Sequence, residues 1–173
     1  MTAFGDKPFG LHDVKVTNIG GTTQVDLPVA QKLTVKLNFK SGILSGDDLT
    51  KAVTSFPVDG DWELEAGGIT PAALAILTGI AVTAAGTTPN QTNTQKFMAG
   101  SQMPYFKIYG QSLGDGIDDI HVKLYKCKIT EFDGEWSDGN FFVTKCKGKA
   151  VDDGTNGIWQ VVQNETSATL PTS

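Results

Sequence analysis

The side chains best equipped for chemistry in this chain are two cysteines set in matching triplets, Lys126-Cys127-Lys128 and Lys145-Cys146-Lys147. A thiol beside a cation can become a nucleophile or a metal ligand, because nearby positive charge stabilises the thiolate. Both triplets fall in strand-like stretches, and on a strand successive side chains point to opposite faces. The lysines then form a basic stripe with the thiols behind it, so the pattern favours structural cysteines. Strands that pair could bring the two sulfurs into a bond. With no export signal in the sequence, two reduced, half-buried thiols are the expected state.

The carboxylates offer a second chemistry. Asp61, Glu63 and Glu65 could supply the paired acid and base of a glycoside hydrolase. Their alternation places all three on one face of one strand, whereas hydrolytic pairs flank a cleft from separate strands. They are expected to form an acidic surface, a candidate interface. Asp115-Gly116-Ile117-Asp118-Asp119 and Asp152-Asp153-Gly154 superficially resemble calcium loops. Neither has the alternating oxygen ligands, central glycine and terminal glutamate of an EF-hand, and both read as turns. The histidines are His12 and His121 alone, too few for a metal centre at suitable spacing. No nucleophile elbow, phosphate-binding loop or dinucleotide fingerprint is present. The expectation is a chain with no catalytic residues, no metal and no cofactor. A hydrolase would instead lose turnover on mutation of Asp61 or Glu63.

These residues are carried mostly by strands. Lys32 to Lys40 gives the clearest period-two signal, with Leu33, Val35, Leu37 and Phe39 facing a core. Strands are also expected at His12–Thr17, Thr23–Leu27, Asp61–Glu65, Met103–Tyr109, Phe141–Lys147 and Ile158–Gln163. Ile120 to Leu124 alternates in one phase and Tyr125, Cys127 and Ile129 in the other, a slip that a β-bulge produces. The sequence from Ser41 to Gly60 reads as a long loop carrying Ile43, Leu44, Asp47, Asp48, Val53, Phe56 and Pro57. Apolar side chains on such a loop suggest cover by a partner. Ala84 to Gln95 reads as an exposed loop, Gly110 to Asp119 as a turn, and residues 166–173 as a polar arm. The single helix is expected at Thr70–Leu77, with Thr70 as N-cap, Pro71 in the first turn and Gly79 closing the last. Leu74, Ile76 and Leu77 form its packing face, and its lack of charge suggests a plug covered on every side.

The composition fits this outline. The chain has 173 residues, 20 glycines and 7 prolines, enough for one turn-dense domain with its own core. Its net charge is −5, and all 14 basic residues are lysine. Without arginine's planar fork, a sequence-reading DNA protein or a nucleotide-handling enzyme is disfavoured. The apolar run around the helix is too short and too rich in alanine and threonine to span a bilayer. The sequons Asn90-Gln91-Thr92 and Asn164-Glu165-Thr166 read as chance occurrences. The start of the chain shows no basic or apolar leader, which points to synthesis in a cytoplasm.

Taken together, the early paired strands running into Lys32–Lys40, the partly apolar stretch from Ser41 to Gly60, the single helix and the long C-terminal hairpins resemble the tail tube (major tail) proteins of long-tailed bacteriophages, of the siphophage type. The resemblance implies a mainly β fold: two packed antiparallel sheets, as a sandwich or barrel, flanked by one α-helix. Contractile-tail tubes and the ring protein of type VI secretion share that fold. It also implies a structural role in the virion tail. Six copies would form a ring, and rings would stack into a tube around a tape-measure protein, meeting tail terminator and distal tail proteins at its ends. DNA would pass through the lumen without specific binding. Net negative charge suits such a conduit. Lys32, Lys36, Lys123 and the Lys-Cys-Lys stripe fit it less easily unless they face outward or meet carboxylates. The alternatives are a ring protein of a contractile tail or secretion system, and a monomeric β-sandwich binding module. The last would use exposed aromatics, and of Trp62, Trp136 and Trp159 only Trp136, at a hairpin tip, is placed to serve.

Overall fold

Alternating apolar and polar residues write most of this chain as β-strand, and all but two of the described strands share one large sheet. The computed structural model describes residues 8–21, 24–46, 49–114, 118–139 and 141–170. Their elements are β1 (Phe9–Asn18), β2 (Val25–Asp26), β3 (Ala30–Gly46), β4 (Leu49–Ala66), α1 (Pro71–Thr78), β5 (Thr83–Ala85), β6 (Thr92–Thr94), β7 (Phe106–Leu113), β8 (Asp119–Glu135), β9 (Val143–Ala150) and β10 (Gln160–Asn164). An 8-stranded antiparallel sheet runs β2-β1-β7-β8-β9-β4-β3, with β10 added beside β8.

The chain is therefore mainly β and antiparallel, but the expected pair of packed sheets is a single sheet, not closed into a barrel. Strand β8 explains why. Its first half pairs with β7 on one side and β10 on the other, and its second half pairs with β9. One strand thus runs through both halves, so no break is needed between them. The two halves fold toward each other at Gly110, where a Cβ would lie 2.8 Å from the Leu33 side chain. Strand β7 runs on through Gly110 to Leu113 instead of turning there, because β1 and β8 pair with it on both sides along that stretch. The sequence slip in β8 is present as a register shift: Phe106 pairs with Cys127, but Ile108 pairs with Leu124.

Between the halves lies the core, which includes Val14, Val16, Trp62, Leu64, Phe106, Ile108, Leu124 and Cys127. Trp62 meets Phe106 edge to face at 5.6 Å. Its indole lies across Gly148, where an added Cβ would come within 2.5 Å of the ring.

The helix forms as its caps dictate. Thr70 Oγ1 accepts the Ala73 amide at 3.2 Å, and Gly79 takes φ 73° while donating to Ala75 at 2.8 Å. A cap of this kind contributes about 1 kcal/mol. Ile76 and Leu77 are buried, with Ala73 and Thr78, and Leu74 is half-buried. The helix rests on β1, β2 and β8. Pro71 and Ala72 are exposed, so this uncharged helix is not covered on every side.

Three further segments differ from expectation. The stretch 41–60 is not a loop but part of a long β3–β4 hairpin, paired from Ala30 with Ala66 out to Gly46 with Leu49. Its glycines and Pro57 do not end the strands, because beyond Gly60 the outer edge of β4 is unpaired and tolerates a missing donor. Phe39 keeps the phase of Leu37, since the extra residue of the register shift opposite it lies in β4, but it falls beyond the paired body and is 59% exposed instead of in the core. The loop 84–95 contains the exposed β5–β6 hairpin. The polar arm is tied down at least to Leu170, which is 4% exposed.

Candidate functional site

Strand β4 places Asp61, Glu63 and Glu65 on one face because Trp62, Leu64 and Ala66 fill the other. The neighbouring strands then decide what these carboxylates can do. On β3, Lys36, Thr34 and Lys32 stand opposite them, and on β9, Lys149, Lys147 and Lys145. Strand β8 adds Glu131 and Asp133 opposite Lys147 and Lys145. The face is a ladder of alternating columns: basic, acidic, basic, acidic. Lys32 lies 3.7 and 3.8 Å from Glu63 and Glu65, Lys149 lies 2.7 Å from Asp61, and Lys147 lies 3.6 Å from Glu131.

Asn38 and Lys149 set the far end of this ladder. The Asn38 amide donates to Asp59 at 2.6 Å and to Asp61 at 2.8 Å. Asn38 and then Lys149 hold Asp59 below the usual carboxylate range, and Lys149 and then Asn38 do the same for Asp61. Such groups have no proton to donate near neutral pH, so they suit a charged surface better than general acid catalysis. Of the lysines that sat awkwardly in the sequence, Lys32 and Lys147 are paired to carboxylates of neighbouring strands, whereas Lys126 and Lys128 lie over the Tyr105 ring at 5.4 and 5.1 Å.

The thiols lie behind that stripe. Cys127 and Cys146 are 0% and 2% exposed and free. Burial pushes both up, Cys146 to about 12. Their strands pair, but Cys127 stands opposite Ala150, four residues along β9 from Cys146. That offset is about 13 Å, too far for a disulfide.

The hairpin residues Ile43, Leu44, Val53, Phe56 and Pro57 are all exposed, while Asp47 and Asp48 lie outside the described residues. From Phe39 to Val58 every described side chain is exposed, on both faces of the ribbon. Ten residues of β4, Leu49 to Val58, have β3 as their strand partner and no other. The ribbon extends roughly 35 Å beyond Gly60, at about 3.3 Å per residue.

A second apolar patch sits at the β8–β9 connection. Trp136 is 78% and Phe141 91% exposed, and Trp136 stacks on Phe142 at 4.6 Å. Beside them is a groove of about 380 Å³ lined by Gln31, Glu65, Glu135, Phe141 and Val143. Trp159 is half-buried, at a cleft of about 370 Å³ between β3 and β7. Lys32 is the ionisable residue lining that cleft, and it is tied to Glu63 and Glu65.

Sequence reasoning missed one cluster entirely. Asp119, 1% exposed, accepts Gln111 at 2.6 Å, Asn164 at 2.6 Å, the Ala168 amide at 2.9 Å and Ser167 at 3.3 Å. His121 Nε2 lies 3.0 Å from the Asp119 carboxylate and 3.2 Å from the Ala168 carbonyl. Both are acceptors, so Nε2 carries the proton. The one available signal was that Asp119 and His121 share a strand face. The calcium-like reading of 115–119 falls mostly outside the described residues, and Asp119 itself is occupied by protein donors. Among the described residues, no group of three or more His, Cys, Asp or Glu is arranged to hold a metal ion. No described helix is long and apolar enough to cross a membrane.

In comparison with known proteins, no family model matches this chain, and no curated protein sequence matches it.

Proposed function

We propose that this chain is a structural, non-enzymatic subunit that assembles with copies of itself into a tube, as its resemblance to siphophage tail tube proteins implies. The observation that carries the reading is the β3–β4 ribbon. A two-stranded ribbon alone in water is marginally stable, and this one exposes Ile43, Leu44, Val53 and Phe56 over its whole length. Its two edges are open along the same stretch. Open edges and apolar faces together call for a protein neighbour.

In this reading six-membered rings stack through the ribbons around a tape-measure protein, with terminator and distal tail proteins at the ends, in the virion tail. The ladder face supports a conduit role. Lysines paired to carboxylates on their own sheet offer a polyanion little to hold, so DNA slides past an evenly mixed, slightly acidic surface.

Negative-stain electron microscopy of the purified chain across a concentration series tests the proposal. Hollow rings or tubes are the expected result. A variant lacking Ile43–Val53, with Gly42 and Thr54 joined by a two-residue turn, should fold but not stack. A chain that stays monomeric at every concentration, with or without the ribbon, would overturn the proposal.

A further inference from the structure

The ribbon and the aromatic patch lie at opposite ends of one strand direction. Strand β4 runs from Leu49 to Ala66, with Gly60 opposite Ala150 and Ala66 opposite Thr144. Strand β9 therefore starts at the Ala66 end, and the 136–142 connection projects past it. The ribbon strands, Phe39 to Gly46 and Leu49 to Val58, run past Gly60 in the other direction. The paired body between them spans about 20 Å, less than the ribbon's own reach.

We infer that the aromatic tip of the β8–β9 connection, with its adjoining groove, is the seat for the β3–β4 ribbon of a second copy. This rests on the assembly reading above and names the surface that receives the ribbon. Two unlike apolar patches at opposite ends of a subunit cannot bury each other within one copy. They can do so between copies, in a head-to-tail contact that repeats along the strand direction. A ribbon longer than the paired body reaches the neighbour's far end in any such repeat. Trp136 and Phe141 are aromatic anchors of the kind that dominate interface energy when they fill a partner's apolar surface.

The buried native thiols allow a direct test. Single variants Val53→Cys and Phe141→Cys, both at exposed positions, are mixed and oxidised, with each variant alone as control. Ile43→Cys with Trp136→Cys forms a second pair, which guards against one unfavourable geometry. The mixed dimer should dominate on a non-reducing gel. In parallel, assembly should shift tryptophan emission to the blue and protect it from acrylamide, and Trp136→Phe should abolish most of both changes. Tubes that form with neither mixed dimers nor a change at Trp136 would overturn this contact and leave the assembly reading intact. A chain that shows no tubes and no mixed dimers would overturn both.

Discussion

The Asp119 carboxylate accepts the backbone amide of Ala168 at 2.9 Å, joining positions 49 residues apart in the chain. Through this bond and those from Ser167 and Asn164, a C-terminal segment that reads as a loose polar arm is fastened to strand β8. The bonds satisfy a carboxylate that burial would otherwise force to take a proton.

That balance sets a pH dependence. Burial raises the Asp119 pKa, but the bonds from Asn164, Ala168 and Gln111 and the charge effect of His121 outweigh it, bringing the value from 3.8 down to about 2. A carboxylate depressed in the folded state adds stability above its unfolded pKa and loses it as pH falls through the folded value. The contribution, about 2 kcal/mol, should be complete above pH 4 and fade toward pH 2. Thermal melts of the wild type and Asp119→Asn should therefore differ most near neutral pH and converge in acid. A constant gap across that range would contradict this.

Gly148 and Trp62 form a second dependency. An added methyl at Gly148 would meet the indole and the Lys128 carbonyl. Gly148→Ala should destabilise by about 2 kcal/mol through overpacking, and Trp62→Ala by about 4 kcal/mol through the cavity left behind. Urea denaturation measures both. In the double variant the part of the Gly148 loss that comes from the indole should vanish, while the part from the closer Lys128 backbone carbonyl should remain.

Buried and deprotonated with difficulty, Cys127 and Cys146 should react with a thiol reagent only after denaturation. Titration of the native protein should show neither thiol reacting on the timescale at which the denatured chain reacts at both. Mild oxidation should give no intramolecular bond.

The ladder makes a prediction about polyanions. Single removals such as Lys149→Ala should leave the melting temperature nearly unchanged, since these pairs are solvent-exposed. Reversing the acidic column with Asp61→Lys and Glu63→Lys should create a continuous basic face. DNA binding, undetectable for the wild type in low salt, should then appear and weaken steeply as salt is added.

Local rules were legible at Thr70, Pro71 and Gly79, where capping chemistry depends on a few adjacent residues. The alternation of Leu33, Val35 and Leu37 and of Trp62 and Leu64 was equally plain, as was the phase slip after Leu124. Features set by distant partners were hidden. Nothing near Gly110 announces that β1 and β8 will pair with the chain as far as Leu113, so the strand looked as if it ended there. Gly42 and Pro57 looked like loop residues because pairing between Ser41 and Ser55 cannot be read from either segment alone. The Asp119 cluster draws on three separate stretches of chain, around Gln111, Asp119 and Asn164 to Ala168. On the ladder face, Asp61, Glu63 and Glu65 were correctly set together, but the lysines that neutralise them come from strands whose order the sequence does not declare.

The register shift in β8 has a consequence for how this strand carries information. Before it, at Asp119 to Leu124, and after it, at Cys127 to Ile129, the odd and even positions do not share one assignment of faces, and a second shift between Ile129 and Glu131 changes the assignment again. The strand changes parity partway along. Deleting one residue at Tyr125 or Lys126 would leave the composition almost untouched, yet it would invert every position beyond it, sending Cys127 and Ile129 to water and Lys128 and Glu131 into the core. That bulge works as a frame marker: a single-residue insertion or deletion there should be far more damaging than any substitution at the same place.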